Sequence, residues 1–60
     1  MITLVDAAND RVIVSGKHPF RVWDIVLTMQ YFNVQANLLI FADERLFARY
    51  DNGKVIRYET

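Results

Sequence analysis

The sequence has no cysteine, and its 60 residues include one histidine, one proline, one tryptophan and two glycines. Without thiols the chain cannot form disulfides or bind metal through thiolates. A zinc site built around the single histidine, His18, would need carboxylates for most of its ligands, which is an uncommon donor set. No metal and no cofactor is therefore expected. Charge of one sign is also lacking, because seven basic and seven acidic side chains cancel. Duplex-DNA binders carry a basic surplus, since phosphate neutralisation dominates their affinity. A protein that imitates DNA would carry an acidic surplus, so the balance counts against both classes. Long apolar runs are absent too. The longest, residues 25–27 and 38–42, fall well short of the roughly 18 residues that cross a bilayer. No membrane span is expected. Residues 1–6 carry no basic segment followed by an apolar one, so no signal peptide is read. A cysteine-free chain suits a reducing cytoplasm, the expected location.

What is present is apolar. The composition is 53% hydrophobic, on a chain long enough for a single domain, residues 1–60. A domain of this size buries only about 60% of the surface its unfolded chain exposes. Small folds compensate with disulfides, a metal or a partner chain. The first two are excluded by composition, which leaves oligomerisation, and a homodimer is the simplest form.

The pattern along the chain reads strand, strand, helix, then three strands. Residues 2–5 and 11–15 are β-branched and apolar, and residues 6–10 between them supply turn formers. Gly16 stops the second run. His18-Pro19 opens a helix, because proline fits the first turn and forces the preceding residue out of the α region. Residues 20–32 have helical character, and Asn33 ends them. Val22, Trp23, Ile25, Val26, Leu27 and Met29 sweep about 200° of that helix, twice the roughly 100° one sheet needs. The surplus is assigned to an oligomer interface of Val22, Trp23, Val26 and Met29. Residues 38–42 form a continuous apolar run, the mark of a strand buried on both faces. Residues 45–50 and 54–59 flank Asn52-Gly53, a strong type I′ hairpin signal. A short helix over residues 43–50, capped by Asp43, competes with the strand. The hairpin places Leu46, Ala48, Tyr50 and Val55 on a core face. The expected architecture is an α+β domain of order ββαβββ, a mainly antiparallel sheet with one helix packed on a face.

Catalytic chemistry finds little support in the residue types. His18 has no nucleophile and orienting carboxylate in a recognisable pattern beside it. Ser15-Gly16-Lys17 precedes a helix, where anions bind, but the full phosphate-loop pattern is missing. Turn chemistry accounts for most of the carboxylates. No enzyme is expected. Arg45, Phe47, Arg49 and Tyr58 share the second face of the hairpin in this register. Arginine interleaved with aromatics suits a protein interface, and these four form the candidate partner-binding set. The same pattern suits single-stranded nucleic acid, a partner less favoured by the neutral charge.

One resemblance adds to this. Val22-Trp23-Asp24-Ile25-Val26 following Ser15-Gly16-Lys17 is similar to the start of a small antitoxin-type domain of bacterial toxin–antitoxin operons, and Tyr50-Asp51-Asn52 resembles a later segment. The resemblance covers a minor part of the chain. It implies a helix-turn-helix and a nucleic-acid-binding regulator. The Asn52-Gly53 hairpin departs from that pattern. The preferred reading is a non-catalytic protein-binding module, an inhibitor or regulator that works as a homo-oligomer.

Overall fold

The computed structural model describes residues 1–58, so the expected strand residue Glu59 lies outside the described part. The elements are β1 (Ile2–Asp6), β2 (Arg11–Gly16), α1 (Pro19–Tyr31), β3 (Asn37–Ala42), β4 (Arg45–Asp51) and β5 (Lys54–Arg57). The strands form one sheet in the order β2-β1-β3-β4-β5, with every neighbouring pair antiparallel. The helix backbone runs closest to β1 and β2. This is the ββαβββ, α+β architecture read from the sequence, and residues 45–51 are strand rather than helix.

Turn chemistry sets the hairpins. Between β1 and β2, the Asp6 carboxylate accepts from the Ala8 amide at 2.9 Å and the Asn9 carboxamide oxygen accepts from the Arg11 amide at 3.0 Å. Both are side chains imitating a backbone turn two residues on. Asn52 and Gly53 have φ of 46° and 97°, both positive as a type I′ turn requires. Around them Asp51 pairs with Lys54, Tyr50 with Val55 and Arg49 with Ile56, the register expected. Gly53 meets a second constraint, because a Cβ there would collide with the Asn33 side-chain oxygen. The tight turn Asp43-Glu44 also has positive φ at both positions, 49° and 69°, without a glycine to relieve the strain. The Met1 ammonium hydrogen-bonds the Asp43 carboxylate at 2.7 Å and holds its carboxyl below the usual carboxylate range.

The helix begins as its residues dictate. His18 is extended at φ −104°, ψ 129°, and Pro19 occupies the first helical position. It ends in a Schellman motif. Asn33 takes φ of 53°, its amide donates to the Gln30 carbonyl at 3.1 Å, and the Val34 amide donates to the Met29 carbonyl at 2.9 Å. Those two bonds satisfy carbonyls that a helix end otherwise leaves unpaired.

Leu4, Val22, Val26, Leu38, Ile40, Ala48 and Tyr50 form the core between helix and sheet. Tyr50 is fully buried and its ring lies in this apolar layer. Its hydroxyl donates to the Val34 carbonyl at 2.6 Å and lies 3.1 Å from the Met29 carbonyl. The phenol thus closes on the helix-terminating motif itself. Nearby, the Asn52 amide donates to the Ala36 carbonyl at 2.9 Å, fixing the second hairpin to the same loop.

Two β-bulges shift the register. One lies between β1 and β2, where Leu4 opposes Val14 and Val5 opposes Val12, leaving Ile13 as the extra residue. The other lies between β3 and β4, where Ile40 opposes Ala48 and Phe41 opposes Leu46, leaving Phe47 extra. The second bulge corrects the expected core face. Ala48 and Tyr50 are buried and Val55 packs against the core, but Leu46 turns to the opposite side with Phe41 and is 41% exposed.

Two substitutions test this framework. Tyr50→Phe should cost about 0.5–1.5 kcal/mol in urea denaturation, the net worth of one lost hydrogen bond. A cost under about 0.5 kcal/mol would mean that the hydroxyl is not bonded. Gly53→Ala should cost about 2 kcal/mol or more, since the positive φ alone costs roughly 1–2 kcal/mol and Asn33 must also move. An unchanged melting temperature would refute the turn geometry.

Candidate interaction surfaces

The four residues expected at an oligomer interface, Val22, Trp23, Val26 and Met29, do not form an exposed patch on the protomer. Val22 and Val26 are 1% and 0% exposed, buried against the protomer's own sheet, and Trp23 and Met29 pack on the same core. These four are the inward side of α1. The helix keeps a different apolar surplus, on its outward side: Phe20, Leu27, Tyr31 and the following Phe32 are 74%, 53%, 84% and 69% exposed. Phe20, Asp24, Leu27 and Tyr31 follow a 4-3-4 spacing, which places them on one stripe of a helix. The stripe runs about 16 Å along the axis. The Tyr31 and Phe32 rings meet edge to face with centroids 5.1 Å apart. An open hollow of about 290 Å³ lies among Asp24, Leu27, Thr28, Tyr31 and Phe32. The spacing was present in the sequence, but a strong inward arc obscured a second stripe near the helix ends.

Arg45, Phe47, Arg49 and Tyr58 do not share one face. The bulge at Phe47 breaks the alternation that the shared face required. Phe47 turns to the helix side, where its ring meets Trp23 edge to face at 6.1 Å and 73°. The Arg57 guanidinium lies 4.8 Å from the centre of the Trp23 ring, a cation–π contact that sequence reasoning did not find. Arg45 pairs with Ala42 at the exposed end of β4. Tyr58 follows β5, and its amide donates to the Phe47 carbonyl at 3.0 Å. Arg49 lies on the opposite, uncovered face of the sheet, between Leu39 and Ile56.

That uncovered face carries an apolar patch among polar residues. One cross-strand row runs Val12, Val5, Leu39, Arg49, Ile56, a second runs Ser15, Thr3, Phe41, Leu46, and a third is the polar set Asn37, Asp51 and Lys54. The apolar residues adjoin at Val5, Leu39, Phe41 and Leu46, positions that a fully solvated face would give to polar residues. The Arg49 side chain leads into an open hollow of about 530 Å³ with Asp6, Gln35, Asn37 and Asn52. Its Nε is buried and has no hydrogen-bond partner among the described residues.

A third hollow, of about 280 Å³, lies where β2 meets α1 and is lined by Ser15, Gly16, Lys17, His18 and Arg21. His18 is exposed, with no capping bond from its side chain. Among the described residues no three histidine or acidic side chains are grouped to hold a metal ion.

No protein-family model, curated protein or solved structure matches the chain. The described residues contain one helix, so the helix-turn-helix implied by the antitoxin-like segments is not formed among them. Those segments fall on the end of β2, the middle of α1, and the end of β4 with the turn after it.

The Trp23 contact predicts that Phe47 is partly structural. Phe47→Ala should destabilise the domain by about 1–2 kcal/mol through lost burial and the aromatic pair. A change within about ±0.5 kcal/mol, usual for surface positions, would count against that contact in solution.

Proposed function

We propose that the domain is a non-catalytic protein-binding module, a small inhibitor or regulator that acts as a homo-oligomer and occupies another protein through the outward stripe of α1. The observation that carries this reading is the exposure of Phe20, Leu27 and Tyr31 on one side of α1, with Phe32 exposed just beyond its end. Exposed aromatic and aliphatic groups at helical spacing are what a helix presents to a groove on a partner. Scattered apolar residues need no explanation, but a contiguous patch does.

Charge argues that this stripe meets a different protein. Asp24 lies midway along it, between Phe20 and Leu27. Two copies pairing antiparallel here would bring the two Asp24 carboxylates near the symmetry axis, where like charges repel. A partner groove with a basic or amide group at its centre satisfies Asp24 instead.

The nucleic-acid reading has one observation in its favour, the grouping of Lys17, His18 and Arg21 around the hollow at the helix entrance. Binding of that kind weakens steeply with salt, whereas an apolar contact does not.

Recovery of a partner from native cells by wild type, followed by titration of the purified partner, tests the proposal. Leu27→Glu and Tyr31→Ala should each weaken binding by about 2 kcal/mol or more, as central anchors do, with little dependence on salt. Retention of full affinity by both variants, or loss of binding on adding salt alone, would reject the helix as the binding surface.

A further inference from the structure

We infer that the uncovered face of the sheet is the seat of a second copy of this chain, with Arg49 of each copy paired to Asp51 of the other. The inference deepens the oligomeric part of the proposed function. It uses the surface opposite the helix stripe, so either can fail without the other.

The argument begins with β3. Its apolar run, residues 38–42, puts Leu38 and Ile40 under the helix and Leu39 and Phe41 on the other side. A central strand apolar on both sides requires cover on both. The helix supplies one cover; on the other side Leu39 and Phe41 are only half-buried, with no second layer over them among the described residues.

Geometry favours a copy of the chain as the second cover. A twofold axis running along the strands, between β3 and β4, lays β3 of one copy over β4 of the other and β1 over β5. Each cross-strand row stays at its own level. Phe41 then meets Leu46 of the second copy, Val5 meets Ile56, and Leu39 meets the aliphatic stem of Arg49. The overlapping region is about 19 Å across four strands. Stacking it removes on the order of 1,000 Å² from water in total, about what a specific interface needs.

The charges fit the same axis. Arg49 and Asp51 lie two residues apart on β4, on the uncovered side, and neither is in an ion pair among the described residues. Arg49 lines an open hollow together with Asn37 and with Asp6 of its own chain, and Asn37 pairs with Asp51 at the next outward-facing level of the sheet. With β4 of the second copy above β3, its Asp51 stands over Asn37, beside the hollow that Arg49 lines. The terminal nitrogens of the Arg49 guanidinium then meet that carboxylate, and symmetry makes the contact twice.

Sedimentation and light scattering at micromolar concentration test this, with circular dichroism recorded for every variant. Wild type should have twice the 7.0 kDa mass of one chain. Leu46→Lys and Ile56→Lys change half-exposed positions of the protomer and should give folded monomers. Arg49→Asp and Asp51→Arg should each weaken the dimer by about tenfold or more, and the double reversal should recover most of the loss, as expected of a close interfacial charge pair. A folded wild-type monomer would overturn the inference. So would a dimer that survives the sheet variants and dissociates with Leu27→Glu, or single charge reversals that the double variant does not rescue.

Discussion

A phenol cannot lie in an apolar core unless its hydroxyl is bonded, because burying an unpaired hydroxyl costs on the order of 1–3 kcal/mol. Tyr50 meets that requirement at one place, the carbonyls of Val34 and Met29. The ring stands on the middle of β4 while the hydroxyl reaches the end of α1. That distance fixes how far the helix terminus stands above the sheet. It also requires that the helix stop where it does, since the Val34 carbonyl is presented by the residue that completes the Schellman motif after Asn33. Asn33 in turn occupies the space left by the missing side chain of Gly53. One buried hydroxyl thus links helix end, connecting loop and hairpin turn, and with them the orientation of α1. Which side chains of the helix face inward and which form the outer stripe follows from that orientation.

Much of this was legible in the residues. Asn52-Gly53 encodes its own turn type, and the pairing of its arms follows without further information. His18-Pro19 and Asn33 bound the helix within one or two residues for steric reasons that operate locally. The bulges were not legible. Placing Phe47 out of register depends on whether Trp23 and Arg57, distant in sequence, offer its ring a better site than alternation would. A slip of one residue changes the face of every residue beyond it. For that reason Leu46 and Phe47 both lie on unexpected sides while Ala48 and Tyr50 lie on the expected one. The helix shows a related limit. A wide apolar arc states that more than one surface must be covered, but it does not state which part of the arc the sheet takes. Val22 and Val26 went to the core because the helix lies over β1 and β2, a tertiary choice.

The remaining apolar surface divides between two sides of the protomer, and the division has a physical logic. On the sheet side the charges are of both signs at a spacing that a twofold axis can match, so the surface is complementary to itself. On the helix side the only central charge is an acid, so the surface repels its own copy. Self-pairing through the sheet, as proposed, would therefore not compete with the proposed partner binding through the helix. In the proposed dimer the two helices are on the outside of a four-layer stack. With successive layers about 10 Å apart, their axes stand about 30 Å from each other. A partner that carries two grooves at that separation, or two partners held close together, would engage both stripes at once. The second contact then forms at an effective concentration far above the free one, and affinity rises without any new interaction at either site. Monomers produced by Leu46→Lys would keep the intrinsic affinity of one helix stripe and lose this gain. The ratio of dimer to monomer affinity on a bivalent partner thus measures the spacing of the helices, and a ratio near one would mean that the partner offers a single groove.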